Sequence, residues 1–181
     1  MELLQLLEEC GGIRRGLTHF RNGLYSNGWI EKGSVFRHPA LLDMVAQEQA
    51  KAIAQAFPGA TLVVGAPACG AVLASFVARH LGKAVAYLSL HPEPVWHRMN
   101  IPAIPEKVVY VDDLICTGTD ARAALAFLRG QGHEILGVSA WISRAGMQGE
   151  KLMTLAQAPF RNFAREDLPA AAKILFEDVR E

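Results

Sequence analysis

The chain has no surplus of charge of either sign: 18 Lys and Arg stand against 18 Asp and Glu in 181 residues. A neutral balance supplies no broad electrostatic footprint for DNA, RNA or an anionic membrane, so any recognition of phosphate has to be local. Cysteine is scarce. Cys10, Cys69 and Cys116 are far apart, odd in number and without a C-x-x-C spacing, which argues against a disulfide framework or a zinc site. The apolar runs are short, so no segment reads as a membrane span. The acidic, amphipathic stretch 1–9 lacks the basic region of a signal peptide. No G-x-x-x-x-G-K-[ST] loop is present, which sets a P-loop kinase or a phosphatase aside. Repeats, low-complexity tracts and linker-like breaks are absent too. These absences leave a cytoplasmic, globular chain, and 51% apolar residues suffice for one domain with a sizeable core.

The most informative stretch is 107–120, Lys-Val-Val-Tyr-Val-Asp-Asp-Leu-Ile-Cys-Thr-Gly-Thr-Asp. Its β-branched and aromatic run at 108–111 suits a strand buried on both faces. Asp112 and Asp113 arrive where that strand is expected to end, and Cys116-Thr117-Gly118-Thr119 makes a small-residue turn. A helical pattern follows through Ala121, Ala124, Leu125 and Leu128 until Gly130 and Gly132. Asp and Thr near a helix start commonly serve only as caps. Caps account for one such residue, whereas here two carboxylates and a hydroxyl-bearing turn follow an apolar strand directly. Ligands of open α/β sheets bind at the carboxyl ends of strands, and a helix N-terminus suits a phosphate.

Along the rest of the chain, 2–10 reads as a short helix and 13–39 as turns and short strands broken by Gly16, Gly23, Gly28 and Gly33. Those strands form either a small lobe or an irregular edge hairpin. Pro39 opens a helix over about 40–57, with Leu41, Val45, Ala52, Ile53 and Ala56 expected on its buried stripe. Strands are expected at 61–65, 84–88 and 135–143, with a helix over 71–81 that ends at Gly82. This alternation predicts a parallel α/β sheet flanked by helices. Residues 89–106 carry four prolines and read as a long loop without structure of its own, which suits a lid or binding loop. A short strand around Phe160 and a helix from Leu168 are expected near the end of the chain. In outline, residues 1–38 form an N-terminal helix and hood and 39–181 the core, within a single domain.

The loops 66–70, 112–120 and 144–146 thus share one rim with 89–106. Ala68, Cys69 and Gly70 have side chains small enough for backbone amides to approach a pyrophosphate. Cys69 and Cys116 read as small packing residues, since no basic partner adjoins either in sequence. Asp112 and Asp113 suit vicinal sugar hydroxyls or a divalent ion carried by pyrophosphate, and residues 116–120 a 5′-phosphate. Asp120 conflicts with that role, because its carboxylate repels a bound dianion unless it points away.

The strand, acidic pair and Thr-Gly-Thr turn resemble the phosphoribosyl pyrophosphate signature of type I phosphoribosyltransferases. The stretch 18–33, the loop 65–70 and Ile142-Ser-Arg-Ala-Gly146 resemble, more narrowly, orotate phosphoribosyltransferases. The resemblance runs over most of 15–146. It implies an α/β fold with an N-terminal hood and transfer of a phosphoribosyl group to a pyrimidine-like base such as orotate, with Mg²⁺ and phosphoribosyl pyrophosphate. It further implies that Arg21, Trp29, Ile30 and Arg144 meet the base, and that the chain is a homodimer whose loop reaches the partner's site. Nucleic acid and membrane are not among the partners expected.

One departure stands out. The family's long loop is rich in Lys and Arg, whereas 89–106 offers only His91, His97 and Arg98. His97 and Arg98 are the candidates to stand in as catalytic cations. Loss of one transition-state clamp costs about 3 kcal/mol, about a hundredfold in rate. The other readings are therefore a catalytically weak protein that binds phosphoribosyl pyrophosphate or a nucleotide in a regulatory role, and a phosphoribosyltransferase for a different base.

Overall fold

The computed structural model describes residues 2–20, 23–98, 100–168 and 173–177. The chain divides into two compact units, one of Met1–Arg37 with Ala158–Glu181 and one of His38–Gln157. Residues 158–181, assigned to the core on sequence, group with the hood because their two short strands pair with its hairpin.

In the hood unit, helix α1 (Leu3–Glu9) precedes the antiparallel strands β1 (Ile13–His19) and β2 (Tyr25–Ile30), and a one-turn helix α2 (Gly33–Phe36) follows. Leu3, Leu6 and Leu7 bury one face of α1 at the spacing of its apolar residues. The register of β1 slips by one residue between Arg15 and Thr18, a bulge at Gly16-Leu17.

The second unit holds the parallel sheet. Helix α3 (Pro39–Ala56), strand β3 (Leu62–Gly65), helix α4 (Cys69–Leu81), strands β4 (Ala84–Ser89), β5 (Val95–Trp96) and β6 (Lys107–Ile115), helix α5 (Thr119–Gly130) and strands β7 (Glu134–Ser143) and β8 (Leu152–Gln157) follow in order. The sheet order is β5-β4-β3-β6-β7-β8, parallel throughout except for β5. The last elements, β9 (Asn162–Phe163), a single 3₁₀ turn (Arg165–Asp167) and β10 (Phe176–Glu177), complete the hood sheet in the order β10-β1-β2-β9.

Alternation of strand side chains builds a core on each face of the parallel sheet. Ala121, Ala124, Leu125 and Leu128 of α5 pack with Val108, Tyr110, Val138 and Ala140. On the other face Gln49 of α3 donates to Ser139 Oγ at 2.8 Å, both fully buried. The buried stripe of α3 is Leu42, Val45, Ala46, Gln49, Ala50 and Ile53, one step round from the expected one, so Leu41, Ala52 and Ala56 are half-buried.

Four expectations need correction. β6 continues past Val111 to Ile115, so Asp112 and Asp113 lie inside the strand, with Asp112 opposite Ala140 of β7. Residues 89–106 are not wholly irregular, because Val95 and Trp96 fold back antiparallel on Ser89 and Leu88. Among the described residues no helix follows Leu168: it leaves the 3₁₀ turn in extended conformation, Phe176 pairs with Thr18 as a strand, and residues 169–172, where the expected helix would run, lie outside the described residues. Phe160 itself is not in a strand; β9 begins two residues later. Among the described residues no helix is long and apolar enough to cross a membrane.

Candidate active site at the carboxyl ends of β3, β6 and β7

The centre of the site is the end of β6. Asp113 is almost fully buried and Asp112 half-buried, and Asp112 Oδ1 accepts the Asp113 N–H at 2.8 Å. Tyr110, fully buried just below, reads the electrostatics of this end. Burial holds its phenol well above the usual 10.0, and the charges of Asp112, Asp120 and Asp113 add to the shift. Three carboxylates therefore make this rim electrically negative. A phosphorylated ligand binds here only if cations offset them.

The turn 116–118 leaves β6 with Cys116 and Thr117 exposed and Gly118 buried in the left-handed region at φ 76. That conformation suits glycine, and a side chain there would also displace two flexible neighbours. A Cβ on Gly118 would lie 2.8 Å from Met147 Sδ and 2.9 Å from Arg122 Nη1. The Thr117 and Thr119 hydroxyls are 3.0 Å apart, and the Thr119 N–H points to Thr117 Oγ1 at 3.4 Å. The Arg122 N–H already donates to Gly118 O at 2.9 Å, so the amides of Asp120 and Ala121 are the first-turn donors left without a partner within the helix, and they suit a phosphate.

Arg122 was not singled out from sequence. Its Nη2 donates to Thr117 O at 2.8 Å, so the guanidinium lies against the turn. Side chains of a helix lean toward its N-terminus, and an Arg at the fourth helical position therefore reaches back over the residues that precede the helix. That spacing was the available signal. Asp120, the second helical residue, directs its Oδ1 toward His91 Nε2 at 3.7 Å. The anomalous carboxylate is thus paired with a residue from the segment after β4.

The loop 66–70 meets the same end of β6. The hypothetical Cβ of Gly70 lies 3.4 Å from Asp112 Oδ1 and 3.4 Å from Val111 O, so the backbone of this turn adjoins the carboxylate. Ala71 N–H closes the turn on Ala66 O at 2.8 Å, leaving Ala68 exposed and Cys69 half-buried. On the other side, the Arg144 N–H donates to Ile115 O at 2.8 Å, which sets Arg144 beside Cys116. Burial lowers the Arg144 guanidinium from its usual value, and interaction with Cys116 acts the other way. The structure thus brings residues 68–70, Asp112, Asp113, 116–120 and Arg144 to adjoining strand ends.

Of the remaining expected residues, His97 and Arg98 follow β4 and the others belong to the hood unit. The His97 N–H donates to Tyr87 O at 2.8 Å and its ring stands edge-on to Tyr87, so this histidine is folded along β4. Arg98 is exposed in the turn that follows. In the hood unit Trp29 stacks on Phe176 with ring centroids 4.3 Å apart, and its neighbour Ile30 points to the opposite face of β2. Arg21 lies outside the described residues.

Among the described residues no three His, Cys, Asp or Glu side chains gather as a metal cage. Asp112 and Asp113, neighbours within β6, point to opposite faces of the sheet, and the half-buried Asp112 fits a divalent ion that arrives already bound to a pyrophosphate, since Mg²⁺ keeps most of its shell from water and phosphate.

No protein-family profile matches the chain. It is 28% identical over 175 residues to the orotate phosphoribosyltransferase of Methylorubrum extorquens (strain PA1), covering 93% of this chain and 89% of that one. In three dimensions it resembles orotate phosphoribosyltransferase from Aeropyrum pernix, with a TM-score of 0.73 at 21% identity over 86% of this chain and 93% of the other. Adenine phosphoribosyltransferase from Saccharomyces cerevisiae is also similar, with a TM-score of 0.66 at 18% identity over 85% of this chain and 100% of the other. The chain has the type I phosphoribosyltransferase fold, an α/β core with an N-terminal hood, and its sequence resembles the orotate phosphoribosyltransferases.

Proposed function

We propose that the chain transfers the phosphoribosyl group of phosphoribosyl pyrophosphate to a pyrimidine-like base such as orotate, releasing pyrophosphate. The observation that carries this reading is the convergence of Gly70, Asp112 and the 116–120 turn on one strand end. Likeness to orotate phosphoribosyltransferases over nearly the whole chain supports it.

In this reading Asp112 and Asp113 accept from the ribose hydroxyls, the amides and hydroxyls of 117–120 hold the 5′-phosphate, and the 68–70 backbone holds the pyrophosphate. Arg144 recognises the base, and its planar guanidinium suits a carboxylate or carbonyl edge. Mg²⁺ supplies charge neutralisation on the pyrophosphate when bound. The chain's own contribution is to hold the two reactants in line and keep the ribose oriented, which converts a bimolecular encounter into a positioned one. A homodimer in the cytoplasm goes with this reading.

The loop 89–106 favours a second reading, that of a protein which binds phosphoribosyl pyrophosphate with little turnover. His97 lies along β4, and Arg98 is the segment's one guanidinium. The decisive experiment is the loss of orotate absorbance with phosphoribosyl pyrophosphate and Mg²⁺. Steady turnover supports transfer. Saturable binding of phosphoribosyl pyrophosphate without loss of orotate supports the second reading and removes orotate as acceptor.

A further inference from the structure

The pairing of His91 with Asp120 bears on how the site tolerates its own carboxylate, and it rests on 116–120 being the phosphate turn. Asp120 is the second residue of α5, so its charge stands at the end of the helix that has to hold a dianion. Its field reaches even the buried Tyr110, alongside those of Asp112 and Asp113. An acidic residue here suits the helix dipole in the empty protein and opposes the ligand when it binds.

His91 answers that conflict geometrically. It lies two residues beyond the end of β4, and its carbonyl oxygen accepts from Ser89 Oγ at 3.4 Å. From there Nε2 reaches to 3.7 Å from Asp120 Oδ1. Of the segment's His and Arg side chains, it is the one that reaches the turn. His97 packs edge-on to Tyr87, and Arg98 is exposed beyond it. Arg122, the other cation at the turn, has Nη2 committed to Thr117 O.

We propose that His91 is the counter-charge of the phosphate turn: Asp120 positions it there, and its ring, when protonated, offsets the Asp120 carboxylate as a phosphorylated sugar binds. The pair would place one cation of the 89–106 segment at the sugar-phosphate end of the site.

The test is calorimetric titration of the full chain with ribose 5-phosphate at low ionic strength, comparing the parent with H91Q, H91K, D120N and the H91Q/D120N double variant. Both residues are well exposed, at 79% and 59% of their side-chain surface, so the fold should be unaffected, as thermal melts will verify. H91Q is expected to weaken binding by about three- to tenfold, because an unbalanced carboxylate then faces the phosphate. H91K should hold the parent's affinity, and the double variant should return to within about twofold of it. The loss in H91Q should shrink in high salt, which a purely structural defect would not do. An H91Q affinity equal to the parent's overturns the proposal, and so does a double variant as weak as H91Q. If the parent binds neither ribose 5-phosphate nor phosphoribosyl pyrophosphate, the phosphate-turn reading itself fails and the pairing falls with it; parent binding that is indifferent to His91 removes only the pairing.

Discussion

Gly65→Ala is the most exacting perturbation of the loop 66–70, proposed above to hold pyrophosphate. A Cβ at Gly65 would lie 2.1 Å from Gly70 O, 2.6 Å from Gly70 C and 2.8 Å from Ala74 Cβ. Cβ atoms essentially never come within 3.0 Å of another heavy atom, so the loop has to retreat by at least 3.0 − 2.1 = 0.9 Å. The obstacle is backbone, tied by the Ala71 N–H to Ala66 O, and cannot rotate aside as a long side chain would. Overpacking of this kind costs about 1–3 kcal/mol of stability. Because Gly70 adjoins Asp112, the same shift pulls the loop away from that carboxylate, with which we propose it shares a ligand. Misplacement of a binding group by about 1 Å can cost about a hundredfold in rate. Calorimetry with Mg²⁺ and phosphoribosyl pyrophosphate, paired with urea unfolding, separates the two effects. G65A should fold with reduced stability and bind at least about tenfold more weakly, in line with that misplacement cost. Gly130→Ala is the control, since its Cβ meets nothing within 4 Å and alanine suits a helix end better by about 0.5 kcal/mol. A G65A variant that binds as tightly as the parent would refute the placement of this loop in the site.

Two further outcomes follow from the same geometry. Arg122→Ala removes the clamp on Thr117 O and should weaken ribose 5-phosphate binding by about five- to tenfold with a stability change under about 1 kcal/mol, as for loss of one charge-assisted hydrogen bond at a surface; calorimetry and thermal melts measure both. Tyr110 has its folded pKa raised, so its contribution to stability is complete below pH 10.0 and falls away as pH climbs above it, where the unfolded phenol ionises and the folded one does not. Tyr110→Phe should therefore flatten the loss of stability above pH 10.0 in urea titrations, and an unchanged alkaline slope would contradict the assignment.

The central strands were legible because Leu62–Gly65 and 108–111 are continuous apolar runs between turn residues, the mark of strands covered on both faces. The end of β6 was not, since sequence rules stop a strand at paired carboxylates. The structure carries it on because Leu114 and Ile115 still pair with Ile142 and Ser143 of β7. β8 escaped notice because every residue from Leu152 to Ala156 is only half-buried, which leaves neither a continuous apolar run nor a strict alternation. β5 is two residues long and arises from pairing with β4, a contact that no local pattern announces. Within the site, the acidic pair and the Thr-Gly-Thr turn were readable as chemistry in sequence order. The partners of Asp120 and Thr117 were not, because His91 lies in another loop and Arg122 acts through the backward lean of a helical side chain.

The central claim is that the end of β6 holds a phosphoribosyl group. Titration of the parent and of Asp112→Asn with Mg²⁺ and phosphoribosyl pyrophosphate tests it most directly. The account predicts one saturable site per chain in the parent, weakened by at least about tenfold in Asp112→Asn through loss of a charge-assisted hydrogen bond to the sugar. Absence of saturable binding in the parent, or an affinity unmoved by Asp112→Asn, would contradict it.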